Sequence, residues 1–121
     1  MSIVVERTFV IERGTLQEFE RLSREAIWPY MEARGCRILG LYSILHGGSS
    51  EEVVLLTAYD SMAHWESTRP RVPPPGDDPE LHALQQKAAE AVAQRHRLTR
   101  ASHTRVLNLV TDWFDPVVRP G

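Results

Sequence analysis

The sequence predicts an α+β fold with the element order β-α-β-β-α-β. Three observations carry that expectation: two long helical patterns, each lying between β-rich segments; a strand at either end of the series; and a glycine-rich break of hairpin length between the two middle strands. With 121 residues, 42% of them hydrophobic and 25% charged, the chain is long enough for one core and too short for two. A single domain over residues 1–121 follows.

Residues 3–11, Ile-Val-Val-Glu-Arg-Thr-Phe-Val-Ile, are rich in β-branched side chains. Ile3, Val5, Phe9 and Ile11 share one parity, and Val4 and Val10 the other, as in a central strand covered on both sides. Gly14 ends it. Thr15-Leu16-Gln17-Glu18 then matches a capping box, in which the hydroxyl and the carboxylate each satisfy a free backbone N–H. Leu16, Phe19, Leu22, Ser23, Ala26, Ile27 and Tyr30 recur at three- and four-residue spacing, which predicts a helix with one buried stripe. Pro29 is expected to kink it and Gly35 to end it.

Residues 36–46 and 52–60 read as two strands joined by Gly47-Gly48-Ser49-Ser50-Glu51, a hairpin. Asp60-Ser61 supplies an N-cap for a short helix carrying Met62, His64, Trp65 and Glu66. The run Arg69 to Gly76, with four prolines, is expected to form a stiff surface loop that tolerates shortening. Asp78-Pro79 is a cap followed by a first-turn proline, and Leu81, Leu84, Ala88, Ala91 and Val92 mark a long helix to about Leu98. Residues 102–111 form the last strand. The tail Asp115 to Gly121 is expected to run extended and cross onto a partner.

Two β-α-β halves joined by a central hairpin give the ferredoxin-like arrangement, with helices on one face of the sheet only. The strands look apolar on both faces, so the other face needs a cover. A second copy supplies it most simply, and a homodimer is expected.

The first strand with Glu6-Arg7-Thr8-Phe9, Gly14 before a helix holding Trp28-Pro29, Gly35 and Gly40 around the second strand, Gly47-Gly48 in the hairpin, and Tyr59-Asp60-Ser61 before the short helix follow one another in a distinctive order and spacing. Across Thr8 to Arg69 this pattern resembles the NIPSNAP family of the dimeric α/β-barrel superfamily. The Pro-rich loop departs from the family pattern, where a more continuous helical stretch is expected. The resemblance implies a homodimer, a ferredoxin-like domain forming a dimeric α/β barrel, and a cleft between sheet and helices in each subunit. It supplies no catalytic set. Members of the wider superfamily are cofactor-free monooxygenases, haem-degrading enzymes, polyketide cyclases or small-molecule sensors. The implied function is binding of a small organic molecule, carboxylate-bearing on the evidence of the arginines discussed next, with cofactor-independent oxygenation or cyclisation as one outcome. A non-catalytic ligand-binding or protein-interaction dimer is the other.

Arg7 is the candidate that stands out, because a cation in the middle of a doubly apolar strand needs a partner. Either it forks a substrate carboxylate, or it pairs with Glu6, another internal acid or the second subunit. Tyr59 and His103 complete the candidate catalytic group, and Tyr42 and His46 are expected to converge with Tyr59 near the hairpin side of the cleft, imidazole as base and phenol as acid. The alternative for Tyr59 is a core residue with an anchored hydroxyl. Tyr42, His46, Trp65 and Arg105 are the candidate ligand-binding residues. Beside a glycine turn His46 could equally be a solvated hairpin residue. His103 and Arg105 alternate with Leu107 and Leu109 on the last strand, which this topology places next to the first strand and so near Arg7. Arg95, His96, Arg97, Arg100, His103 and Arg105 form a basic stretch that could bind an anion; the dipole of the second long helix explains Arg95 to Arg100 without a ligand, but not His103 and Arg105. His64 and Trp65 invite comparison with haem-degrading relatives, but residues 3–11 lack the asparagine those enzymes use, and Trp28 reads as core.

Other classes are disfavoured. The 14 cationic and 16 acidic side chains give a net charge of −2, which offers nucleic acid no footprint. There is no His-Glu-x-x-His, no glycine-rich phosphate loop and no Gly-x-Ser-x-Gly elbow, so no metal site or cofactor is expected. No apolar run spans a bilayer, Cys36 is the only cysteine and the first residues lack a signal-peptide layout. A cytoplasmic location without membrane contact is the expectation.

Overall fold

A computed structural model of the chain describes residues 2–111. Strand β1 (Ile3–Ile11) is followed by a helical segment of three parts, α1 (Leu16–Leu22), a π-helical turn (Ser23–Ile27) and α2 (Trp28–Ala33). Strands β2 (Arg37–Ser43) and β3 (Glu52–Tyr59) form the hairpin, and then come α3 (Met62–Ser67), α4 (Pro79–Arg97) and β4 (Thr99–Asn108). The sheet order is β2-β3-β1-β4 with every neighbouring pair antiparallel, the ferredoxin-like topology. The last strand begins three residues before the expected start. The tail 115–121 lies outside the described residues.

Strand register assigns the two faces of the sheet. Ile3, Val5, Phe9 and Ile11 of β1 and Val53, Leu55 and Tyr59 of β3 are buried beneath the helices. Val4, Glu6, Thr8 and Val10, with Val54, Leu56 and Ala58, form the outer face and are only half-buried. No described element covers that outer face. The helical side is closed by Phe19, Leu22, Ala26, Ile27 and Tyr30 from the first helical segment and by Ala88 and Ala91 from α4, small residues that let α4 approach closely. Leu16, predicted for the same stripe, is instead 42% exposed.

Two local expectations are corrected. The capping box does not form: the Thr15 hydroxyl donates to the Glu12 carbonyl at 2.6 Å, and the Glu18 carboxylate is taken by Arg21. Pro29, having no N–H, is carried at the start of α2, directly after the π-helical turn, where the Trp28 N–H reaches five residues back to the Ser23 carbonyl. The caps at Ser61 and Asp78 form as expected, accepting from the His64 and Glu80 N–H groups at 3.0 Å each.

The second correction concerns residues 69–76, which are not a detachable loop. The buried Tyr30 hydroxyl donates to the Val72 carbonyl at 2.9 Å, and the Gln85 amide donates to the Pro70 carbonyl at 2.9 Å. Thr68 and Pro74 are buried beside it. Replacing 69–76 by a short glycine-serine link is therefore expected to destabilise the domain, by about 1 to 3 kcal/mol for the Tyr30 hydroxyl alone, left without its acceptor. Urea denaturation checks this, and an unchanged midpoint would show that these anchors contribute nothing.

Candidate functional site

Arg7 lies between Val5 and Phe9 on β1 and shares their parity, so its side chain enters the space between the sheet and α4. A cleft of about 370 Å³ opens there, with Arg7 and Phe9 from β1, Val92, Arg95 and His96 from α4, and Thr99 and Ser102 from β4. Residues 69–72 close one side with two further cations, Arg69 and Arg71. Four guanidinium groups therefore face one cavity, and no carboxylate lines it among the described residues.

The floor of the cleft is a stacked arrangement of rings and cations. The guanidinium carbons of Arg7 and Arg95 each lie 4.9 Å from the centre of the Phe9 ring, and Arg95 also lies 5.1 Å from Phe19. Phe9 and Phe19 meet edge to face at 4.9 Å. Arg95 is 6% exposed and donates to the Ser23 hydroxyl at 3.0 Å, which itself donates to the Phe19 carbonyl. The π-helical turn begins at Ser23 and so helps aim the guanidinium. Arg7 has no such support: its Nε is buried without a hydrogen-bond partner.

Electrostatics in the cleft is one-sided. Burial, and next the Arg69 charge, lowers the pKa of Arg7, while burial and then Arg7 itself push Arg95 down to about 9. Both remain protonated at neutral pH. Five described acids pair with other arginines, Glu6 with Arg105, Glu18 and Glu25 with Arg21, Glu20 with Arg24 and Glu51 with Arg100, and no ion pair among the described residues involves Arg7 or Arg95. The alternative in which Glu6 neutralises Arg7 is thus excluded by register, because neighbours along a strand point to opposite faces.

The predicted site residues do not assemble into one constellation. His103 and Arg105 pair with Thr8 and Glu6 and lie on the outer face, so the sheet separates them from the Arg7 side chain. Adjacency of β4 to β1 was correctly expected, but parity puts these two side chains on the other side. Tyr59 shares the face of Arg7 but stands opposite Ile3, four residues along, about 13 Å away at 3.3 Å per residue. It is buried beside Cys36 and meets the His64 ring edge to face at 5.5 Å, and burial first, then Cys36, pushes its phenol well above the usual tyrosine range. Tyr42 is 51% exposed and folds over Gly40, where an added Cβ would meet its hydroxyl at 2.7 Å. His46 is exposed in the hairpin connection. Trp65 reaches the cleft only through Arg69, whose guanidinium lies 5.1 Å from its ring.

His64 is used by the fold. Its Nδ1 accepts the Asp60 N–H at 3.0 Å, so its Nε2 carries the proton and donates to the Arg34 carbonyl at 2.8 Å. Gly35, at φ +86°, leaves it room. Cys36 is likewise structural, its thiol raised to about 11 by burial. Native protein at pH 8 is therefore expected to resist iodoacetamide while the urea-unfolded chain labels fully, as mass spectrometry can show. Equal labelling of both would mean that Cys36 is accessible. No group of three or more histidine, cysteine, aspartate or glutamate residues able to hold a metal occurs among the described residues, and no described helix is long and apolar enough to cross a membrane.

Residues 4–111 match the family model described as NIPSNAP. Among solved structures, a NIPSNAP family protein from Agrobacterium tumefaciens is 22% identical, with a TM-score of 0.69, over 97% of this chain and 99% of that one. An uncharacterized NIPSNAP domain protein from Burkholderia xenovorans is 20% identical, with a TM-score of 0.67, over 94% and 98%. SnoaB from Streptomyces nogalater, a cofactor-independent oxygenase, shares the fold at 7% identity and a TM-score of 0.61, over 94% and 98%. No curated protein gives a significant match.

Proposed function

The chain belongs to the NIPSNAP family, and on that premise we propose that it is a cytoplasmic homodimer whose arginine-lined cleft binds a small organic molecule bearing a carboxylate. One observation supports this above the others. Four guanidinium groups converge on a single cavity with no carboxylate among its described lining residues, and the most buried parts of two of them rest on the Phe9 ring. A desolvated, unneutralised cation costs free energy in the empty protein, and an incoming anion removes that cost. Phe9, Val72 and Val92 offer an apolar wall to the rest of the molecule. The half-buried outer sheet face, with Val4, Val10, Val54 and Leu56, is the surface through which two copies would pair.

Cofactor-independent oxygenation or cyclisation would use the same cations to stabilise an anionic form of the substrate, as fixed positive groups do for developing negative charge. SnoaB, with the same fold, carries out oxygenation without a cofactor. In this chain His96 is the only histidine among the described residues that line the cleft, and no tyrosine, cysteine, lysine or carboxylate stands beside it there. That thin supply of acid–base groups favours the second reading, a non-catalytic binder. A thermal-shift series with short carboxylates and their uncharged amides tests the shared claim. Stabilisation by the acids and not by the amides is expected; equal shifts, or none, would remove the carboxylate site.

A further inference from the structure

We infer that the cleft is built for an organic dianion, with one anionic group held at the floor by Arg7 and Arg95 and a second at the rim by Arg69 and Arg71. This deepens the carboxylate-binding reading and rests on it. The four cations fall into two pairs of different character. The floor pair is packed around Phe9, and Arg95 is fixed by Ser23. The rim pair is exposed but carried on an anchored turn: the Val72 N–H donates to the Arg69 carbonyl at 2.8 Å, Gln85 holds the Pro70 carbonyl and Tyr30 holds the Val72 carbonyl. Stacking on Trp65 restrains Arg69 further. The rim is therefore preorganised, which lowers the entropic cost of using it.

A monocarboxylate seated at the floor leaves Arg69 and Arg71 unmatched. Beside the four cations the described lining includes the apolar residues Pro70, Val72 and Val92. The fitting ligand thus has an apolar middle and an anionic group at each end, as in an α,ω-dicarboxylate. Both rim arginines sit in the Pro-rich segment 69–76.

Calorimetric titration of the full-length protein tests this with the α,ω-dicarboxylates from glutarate to azelate, the monomethyl ester of each, and inorganic phosphate. One chain length is expected to bind best, at least tenfold more tightly than its own monoester and than phosphate. The double variant Arg69→Gln/Arg71→Gln is expected to weaken the diacid at least tenfold more than the monoester, so that the two bind alike. Monoester and diacid binding equally, phosphate matching the best diacid, or a diacid preference that survives in the double variant would each overturn the two-ended site while the carboxylate cleft stands. Failure of every acid to bind would overturn both.

Discussion

Arg7→Met is expected to abolish binding of small carboxylates while leaving the stability of the empty protein unchanged or higher. A buried arginine that had an acid partner would behave in the opposite way, because its removal strands a carboxylate and costs about 3 to 5 kcal/mol. Here the neighbouring Glu6 is turned to the outer face and engages Arg105 at 2.7 Å, and Arg7 keeps a buried Nε with no acceptor. Methionine retains the packing against Phe9 and relieves repulsion from Arg69, Arg71 and Arg95, the lining cations it faces. Against that stands the loss of one cation–ring contact, about 0.5 to 2 kcal/mol. For the ligand, a charge-assisted hydrogen bond is lost, about 1.5 to 3 kcal/mol, or roughly tenfold to more than a hundredfold in affinity. Chemical denaturation and calorimetry of the same variant read both effects. Strong destabilisation together with intact carboxylate affinity would place Arg7 in an internal ion pair and outside the site.

The second large effect concerns the outer sheet face. Leu56 stands there in register with Glu6 on one side and Gly40 on the other, at the middle of the surface proposed to pair two copies. Leu56→Asp would bury an unpartnered carboxylate beside Glu6, and a buried charge without a partner costs several kcal/mol. The dimer dissociation constant is expected to rise by about a hundredfold or more, equivalent to about 2.7 kcal/mol. Sedimentation at micromolar concentration should then give a monomer that keeps its circular dichroism. A variant with unchanged dimer mass would move the contact to another surface, and a wild-type chain of 13.8 kDa at all concentrations would remove the dimer altogether.

Much of the fold was legible because its signals are periodic. Parity in residues 3–11 identified the buried set Ile3, Val5, Phe9 and Ile11, and three- and four-residue spacing identified Phe19, Leu22, Ala26, Ile27 and Tyr30. The capping box misled because its two side chains had stronger local alternatives, the Glu12 carbonyl and Arg21. The site is legible in the sequence at Arg7, a cation of the buried parity, and in part in the basic stretch that holds Arg95 and His96. Arg95 carries the same kind of signal, since Ala88, Ala91 and Arg95 continue the buried stripe of α4 at spacings of three and four. Its position in a basic helix end made the dipole explanation sufficient, and the stripe was read no further than Val92. Arg69 and Arg71 could not be found by periodicity, because they sit in an irregular segment fixed by tertiary hydrogen bonds from Tyr30 and Gln85. His103 and Arg105 were misplaced for want of a register: a shift of one residue turns every side chain of a strand to the opposite face.

A crystal structure grown with pimelate at saturating concentration locates the ligand directly. Expected is a carboxylate within hydrogen-bonding distance of the Arg7 and Arg95 guanidinium groups, above the Phe9 ring, with its methylene chain running along Val72 and Val92. A cleft filled by the protein's own side chains, or pimelate bound on another surface with Arg7 still unpartnered, would contradict the assignment of this cavity as the binding site.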